Sequence, residues 1–166
     1  MQRKGAVAAH ERNMSAIIQW SDKLSLGIPE IDGQHKGLID VINELWHAIV
    51  SRKDANYLLG ILNKLEQYTF AHFTAEEAVM RVENYPRLRD HYDEHQKFIG
   101  HLKGTRAKIE NGEEIALELL HFLTDWLVKH IQVSDKDYSN FIAERQRPKS
   151  IFARFFGSLR PQGARS

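Results

Sequence analysis

An all-α fold, an up-down-up-down four-helix bundle, is what this sequence predicts, and three observations carry the expectation. Apolar residues recur at steps of three and four along four long segments. Short breaks containing Gly, Pro, Asn and Asp separate those segments. No hairpin signature, alternating strands around a two-residue turn, lies between them.

The first helix is expected over about Asp32 to Ser51, where Leu38, Val41, Ile42, Leu45 and Ile49 form one stripe. Asp32 suits its N-cap, and Gly27, Pro29 and Gly33 mark an irregular entry. The second is expected over about Ala55 to Val82, with Leu58, Leu62, Leu65 and Phe73 inside it. Asn84-Tyr85-Pro86 ends it, because proline disfavours helix in the residue before it. Pro86 then suits the first turn of a third helix reaching about Ile109, which Asn111-Gly112 closes. The fourth starts near Glu113 and runs through Leu117, Leu120, Leu123, Trp126 and Leu127 to about Ile131. Connections this short make neighbouring helices antiparallel.

The chain has 166 residues, of which 42% are hydrophobic, enough for one packed core. It has no cysteine, so disulfides, thiolate metal sites and iron–sulfur clusters are excluded. The net charge of +1 conceals an asymmetry: residues 1–13 carry +2, residues 147–166 carry +5, and the body between them is acidic. An acidic body with a basic tail does not suit a nucleic-acid-binding domain. Three units follow: an extension over 1–17, expected to be disordered, a bundle over 18–146, and a basic, aromatic tail over 147–166. In the tail, Ile151, Phe152, Phe155, Phe156 and Leu159 share one helical face, which would suit a membrane surface or a partner protein. The apolar stretch Ala6 to Ala9 is too short for the core of an export signal, and no run approaches the length of a membrane span. The expectation is a soluble, cytoplasmic protein.

The residues that point to chemistry are His35, His72, Glu76, His91, His95, His130 and Asp135. Residues four apart on a helix lie within about 40° of one another, so His91 and His95 can reach one cation together. His72 and Glu76 have the same spacing; Glu77 lies about 100° further round and is the poorer ligand. His130 and Asp135 are five apart, so a local bend would help Asp135 turn inward. Every helix thus directs at least one ligand to a common axis. Imidazole in the majority suits a pair of transition-metal ions, and a carboxylate can bridge two cations. Five imidazoles, two bridging carboxylates and one oxide or hydroxide bridge fill all but one position on two octahedral ions. His10, His47, His101 and His121 fall outside the pattern.

With these residues in view, the chain resembles the hemerythrins, most closely the single-domain bacteriohemerythrins. The stretches that carry the resemblance are Ile31-Asp-Gly-Gln-His-Lys36, His72-Phe-Thr-Ala-Glu-Glu77 with Met80, His91-Tyr-Asp-Glu-His95 with Phe98, and Trp126-Leu-Val-Lys-His-Ile131 followed by Asp135-Lys-Asp-Tyr138. The resemblance spans about residues 18–142. It implies two non-haem iron ions, oxo- or hydroxo-bridged, with Glu76 and Asp135 as bridging carboxylates. His91, His95 and His130 would saturate one iron, and His35 and His72 would hold the other with one position open. It further implies reversible binding of dioxygen there, for storage, delivery or sensing, and so a binding protein, not an enzyme. Trp126, Leu127, Ile131, Leu38 and Phe73 are expected to wall the oxygen pocket, and the tail to contact an oxygen-consuming enzyme or a membrane surface.

A second reading is a di-iron oxidase or iron-storage protein of ferritin-like type, which uses Glu-x-x-His pairs. Glu44-Leu-Trp-His47 and Glu118-Leu-Leu-His121 have that form. His121 and His130 lie about 180° apart on one helix, so both sets cannot face the same interior.

Overall fold

A computed structural model describes residues 16–146, and within them there is no β-strand. A single 3₁₀ turn, Asp22–Leu24, leads into helix α1, Pro29–Val50. Helix α2 spans Ala55–Val82, α3 Leu88–Glu110 and α4 Ala116–Lys129. Helix α4 continues without a break into a π-helical segment, His130–Asp135, and then into α5, Lys136–Gln146. These last three pieces form the fourth arm of the bundle. Helix α1 packs on α2 and α4, and α2 on α3. The residues 1–15 and the tail, 147–166, lie outside the described part of the chain. The backbone N–H of Ile17 donates to Asn43 Oδ1 at 2.9 Å, so contact with α1 begins just inside the expected extension.

Four boundaries differ from expectation. Helix α1 opens at Pro29, where a missing N–H is harmless, and Asp32 sits in its first turn. The Asp32 carboxylate does not cap the helix. It accepts from Ser25 Oγ at 2.7 Å and from the N–H groups of Leu26 and Gly27 at 2.8 and 3.3 Å, tying down the entry loop. Pro86 lies before α3, not in its first turn, because Arg87 is the N-cap. The fourth arm starts three residues later than expected and runs on to Gln146. Its leucine stripe ends at Leu127 because the wall beyond is made of metal-type ligands and tyrosine, which periodicity of apolar residues does not detect.

Helices α1, α2 and α3 end alike. In each, the residue after the C-cap has positive φ and the next N–H reaches back five residues: Lys53 to Ala48, Tyr85 to Met80, and Glu113 to Lys108. Gly112 and Asn84 suit that conformation, whereas Arg52 holds it at φ 50° with a Cβ in the way. Arg52→Gly is therefore expected to stabilise the fold by about 0.5–1 kcal/mol. A higher urea midpoint at an unchanged slope would show it, and a lower midpoint would contradict it.

The main apolar core includes Leu38, Ile42, Leu45, Leu62, Leu65, Phe98, Leu102, Leu120, Leu123 and Leu127. Each such buried side chain contributes about 1.5–3 kcal/mol. A smaller cluster joins Met80, Tyr85, Tyr138 and Ile142. The polar side chains treated next lie between these two layers, touching Phe73 of the larger and Tyr138 of the smaller.

Candidate metal centre

The seven residues singled out in the sequence all turn into the bundle interior, and none is more than 3% exposed. Their donor atoms fall into two groups that share one residue. Glu76, His91, His95 and His130 form the first, and His35, His72, Glu76 and Asp135 the second; within each, one atom per residue lies within 4.8 Å of all the others. Glu76 Oε2 sits 3.5 Å from His72 Nε2, 3.5 Å from His91 Nε2 and 3.4 Å from His95 Nε2. Asp135 spans the groups with its two oxygens. Its Oδ1 lies 3.4 Å from His91 Nε2 and 3.1 Å from His130 Nε2, and its Oδ2 lies 3.2 Å from His35 Nε2.

The bend that Asp135 needed is the π-helical segment. His130 and Asp135 are its first and last residues. A turn closed by i→i+5 bonds places residues five apart over one another, which an α-helix does not. One extra residue per turn thus aims both side chains inward.

The outer side of the imidazoles is held by residues whose roles the spacing did not reveal. His72 Nδ1 faces Gln34 Oε1 at 3.1 Å, His95 Nδ1 faces Glu77 Oε1 at 3.0 Å, and His130 Nδ1 faces Glu94 Oε2 at 3.1 Å. An acceptor at Nδ1 fixes the proton there and turns the Nε2 lone pair inward. Ser134 Oγ donates to Glu94 Oε2 at 2.6 Å, and Tyr138 Oη donates to Glu76 Oε1 at 2.9 Å. Each of Gln34, Glu77 and Glu94 is the sequence neighbour of a predicted ligand but serves a histidine of the next helix. That adjacency is the one signal through which they could have been found.

The electrostatics call for cations. Burial alone would neutralise Glu76 and Asp135. For Glu76, His72, His91, His95 and His130 outweigh burial and hold the carboxyl well below its usual range. For Asp135, burial and the nearby Glu76 both oppose ionisation, yet His130 and His35 keep it below its usual value. Burial pushes the His72 imidazole down to about 4, so it stays a neutral donor. Burial also opposes a charge on His130, but Asp135, Glu94 and Glu76 outweigh it and raise that imidazole to about 10. Three carboxylates thus favour a positive charge on this ring, a charge that a metal ion at Nε2 would supply instead.

The atoms with no hydrogen-bond partner decide whether a metal pair fits. They are both ring nitrogens of His35, Nε2 of His72 and His91, Oε2 of Glu76 and both oxygens of Asp135. Unpaired buried polar atoms are costly and rare. Apart from His35 Nδ1 they converge, and the mix of imidazole and carboxylate suits transition-metal ions.

The expected oxygen-pocket residues are distributed unevenly. Phe73 stacks on His95 at 3.7 Å and Trp126 on His130 at 4.2 Å, both on the three-histidine side. Leu38, Leu127 and Trp126 line a small apolar cavity with Ile42, Leu65, Thr69, Phe98 and Leu123. Ile131 is buried. The Glu-x-x-His pairs do not meet: Glu118 and His121 are exposed, and Glu44 pairs with Lys64 Nζ at 2.7 Å. His101 stacks on Phe122 at 3.6 Å, away from the centre, and His10 lies outside the described residues.

Comparison with known proteins agrees with this geometry. The family model of the hemerythrin HHE cation binding domain matches residues 26–142. The chain is 34% identical to a bacteriohemerythrin of Stenotrophomonas maltophilia over 126 residues, covering 75% of this chain and 81% of that one. It is 30% identical to a bacteriohemerythrin of Methylococcus capsulatus, covering 74% and 95%. A wild-type hemerythrin crystal structure superposes with a TM-score of 0.70 at 29% identity, covering 75% of this chain and 97% of that one.

Proposed function

The chain belongs to the hemerythrin family, and from that premise we propose that it holds two non-haem iron ions and binds dioxygen reversibly. One observation carries the reading: two four-residue donor groups share Glu76, are spanned by Asp135, and converge, with Nε2 of His35, His72 and His91, Oε2 of Glu76 and both oxygens of Asp135 left without a hydrogen-bond partner. His91, His95 and His130 would hold one iron, His35 and His72 the other, and Glu76 and Asp135 both. When bound, the iron pair would supply the electrons for reversible dioxygen binding.

The protein's own groups set the conditions. Gln34, Glu77 and Glu94 orient His72, His95 and His130. Phe73 and Trp126 cover the rings of His95 and His130, and the leucine layer keeps water from the interior. Tyr138 keeps its proton: burial, then Glu76 and Asp135, push the phenol far above its ordinary value, so it acts only as a neutral donor to Glu76.

No described helix is long and apolar enough to cross a membrane. A cytoplasmic site of action, and contact of the tail with an oxygen-consuming enzyme or a membrane surface, are readings supported by the sequence alone. The test of the central function is optical. Iron-loaded protein, reduced under argon, is expected to gain a visible band in air and to lose it again when oxygen is removed. A two-iron sample whose spectrum ignores air would refute oxygen binding.

A further inference from the structure

The two halves of the centre are supported unequally from outside. On the three-histidine half, His95 and His130 each present Nδ1 to a carboxylate, Glu77 at 3.0 Å and Glu94 at 3.1 Å. Glu94 is itself fixed by Ser134 at 2.6 Å. On the two-histidine half, His72 Nδ1 meets only the neutral amide oxygen of Gln34 at 3.1 Å. His35 is fully buried, and its Nδ1 meets no partner.

This difference bears on how strongly each half holds a cation. A carboxylate pulling on Nδ1–H pushes electron density toward Nε2 and makes that nitrogen a stronger donor; an amide oxygen does so weakly. Two anionic side chains outside one half also attract a cation to it, Glu77 more effectively than Glu94 because Glu77 is 16% exposed and Glu94 44%, where water screens the charge. Ligand number points the same way, with three imidazoles against two.

We propose that Glu77 and Glu94 are positioning residues that make the His91–His95–His130 half the tight metal position, filled first. The His35–His72 half, without a carboxylate behind its rings, fills second and empties first. This rests on the two-metal reading above. Its consequence is that the half assigned to the gas ligand is the labile one. A metal-limited cell would then contain a half-loaded form that is folded but cannot bind oxygen, and metal supply would set the fraction of competent protein.

Cobalt(II) titration of the metal-free, full-length protein at one pH tests this, followed by visible absorption. The wild type is expected to bind two ions per chain in two separate phases. Glu77→Gln and Glu94→Gln should each weaken the first phase by roughly ten- to a hundredfold and leave the second in place. Gln34→Glu should strengthen the second phase and narrow the gap, a gain that misfolding does not imitate. A single phase of two equal ions in the wild type would overturn the proposal. So would a first phase that neither glutamine variant moves, because ligand number alone would then set the order. Failure to bind any cobalt, with the helical circular dichroism intact, would instead sink the two-metal reading itself.

Discussion

Replacing Glu76 by glutamine is expected to empty the centre while leaving the bundle folded. Glu76 belongs to both donor groups, and its Oε2 lies within 3.5 Å of three imidazole nitrogens. The amide keeps an oxygen to accept from Tyr138, so the buried phenol retains its partner. What is lost is the negative charge and the ability to bridge. Losing only the hydrogen-bond partner of a ligand weakens metal binding roughly ten- to a hundredfold; losing a shared anionic ligand should exceed that at both positions. Iron content should fall from two per chain to below one, the oxygen-dependent band should vanish, and the far-ultraviolet circular dichroism should stay helical. A variant that retained two irons would show that Glu76 is not the shared ligand.

Stripping the metal should lower thermal stability more than any single substitution. Ions that bind only the folded state stabilise it by about 4 kcal/mol each when present at a thousand times their dissociation constant. Two such ions give roughly 8 kcal/mol, or on the order of 15–30 °C for a domain of this size. The direction follows from the unpartnered atoms on His35, His72, His91, Glu76 and Asp135, which the metal-free protein must keep buried. It must also hold two carboxylates, Glu76 and Asp135, in a fully buried space. Calorimetry of loaded and chelated protein checks this. A midpoint difference of only a few degrees would mean that the interior gains little from the ions, and the two-metal reading would fail with it.

The same geometry explains why some features were legible in the sequence and others not. The four helices could be read because their stripes face one core, and that core imposes a period of 3.6. The boundaries that slipped were those set by local hydrogen bonds rather than by periodicity. Asp32 has the composition of a cap, yet its carboxylate is engaged by Ser25, Leu26 and Gly27, because the entry loop folds back over the start of α1. The fourth arm runs past its last leucine because Tyr138 and Ile142 close a second small core, too short to register as a stripe.

By itself the sequence determined the helical class, the four segments and the seven side chains brought to one axis, because helical spacing is a local rule that side-chain type makes visible. Only the tertiary structure decided how those side chains are held. Gln34, Glu77 and Glu94 stand beside predicted ligands in the chain, but a helix turns about 100° per residue, so each leaves its own ligand's face and meets a histidine of the neighbouring helix. The π-helical turn from His130 to Asp135 was decided in the same way. Its extra residue costs local helix regularity, and only the convergence of both side chains on partners from three other helices offsets that cost.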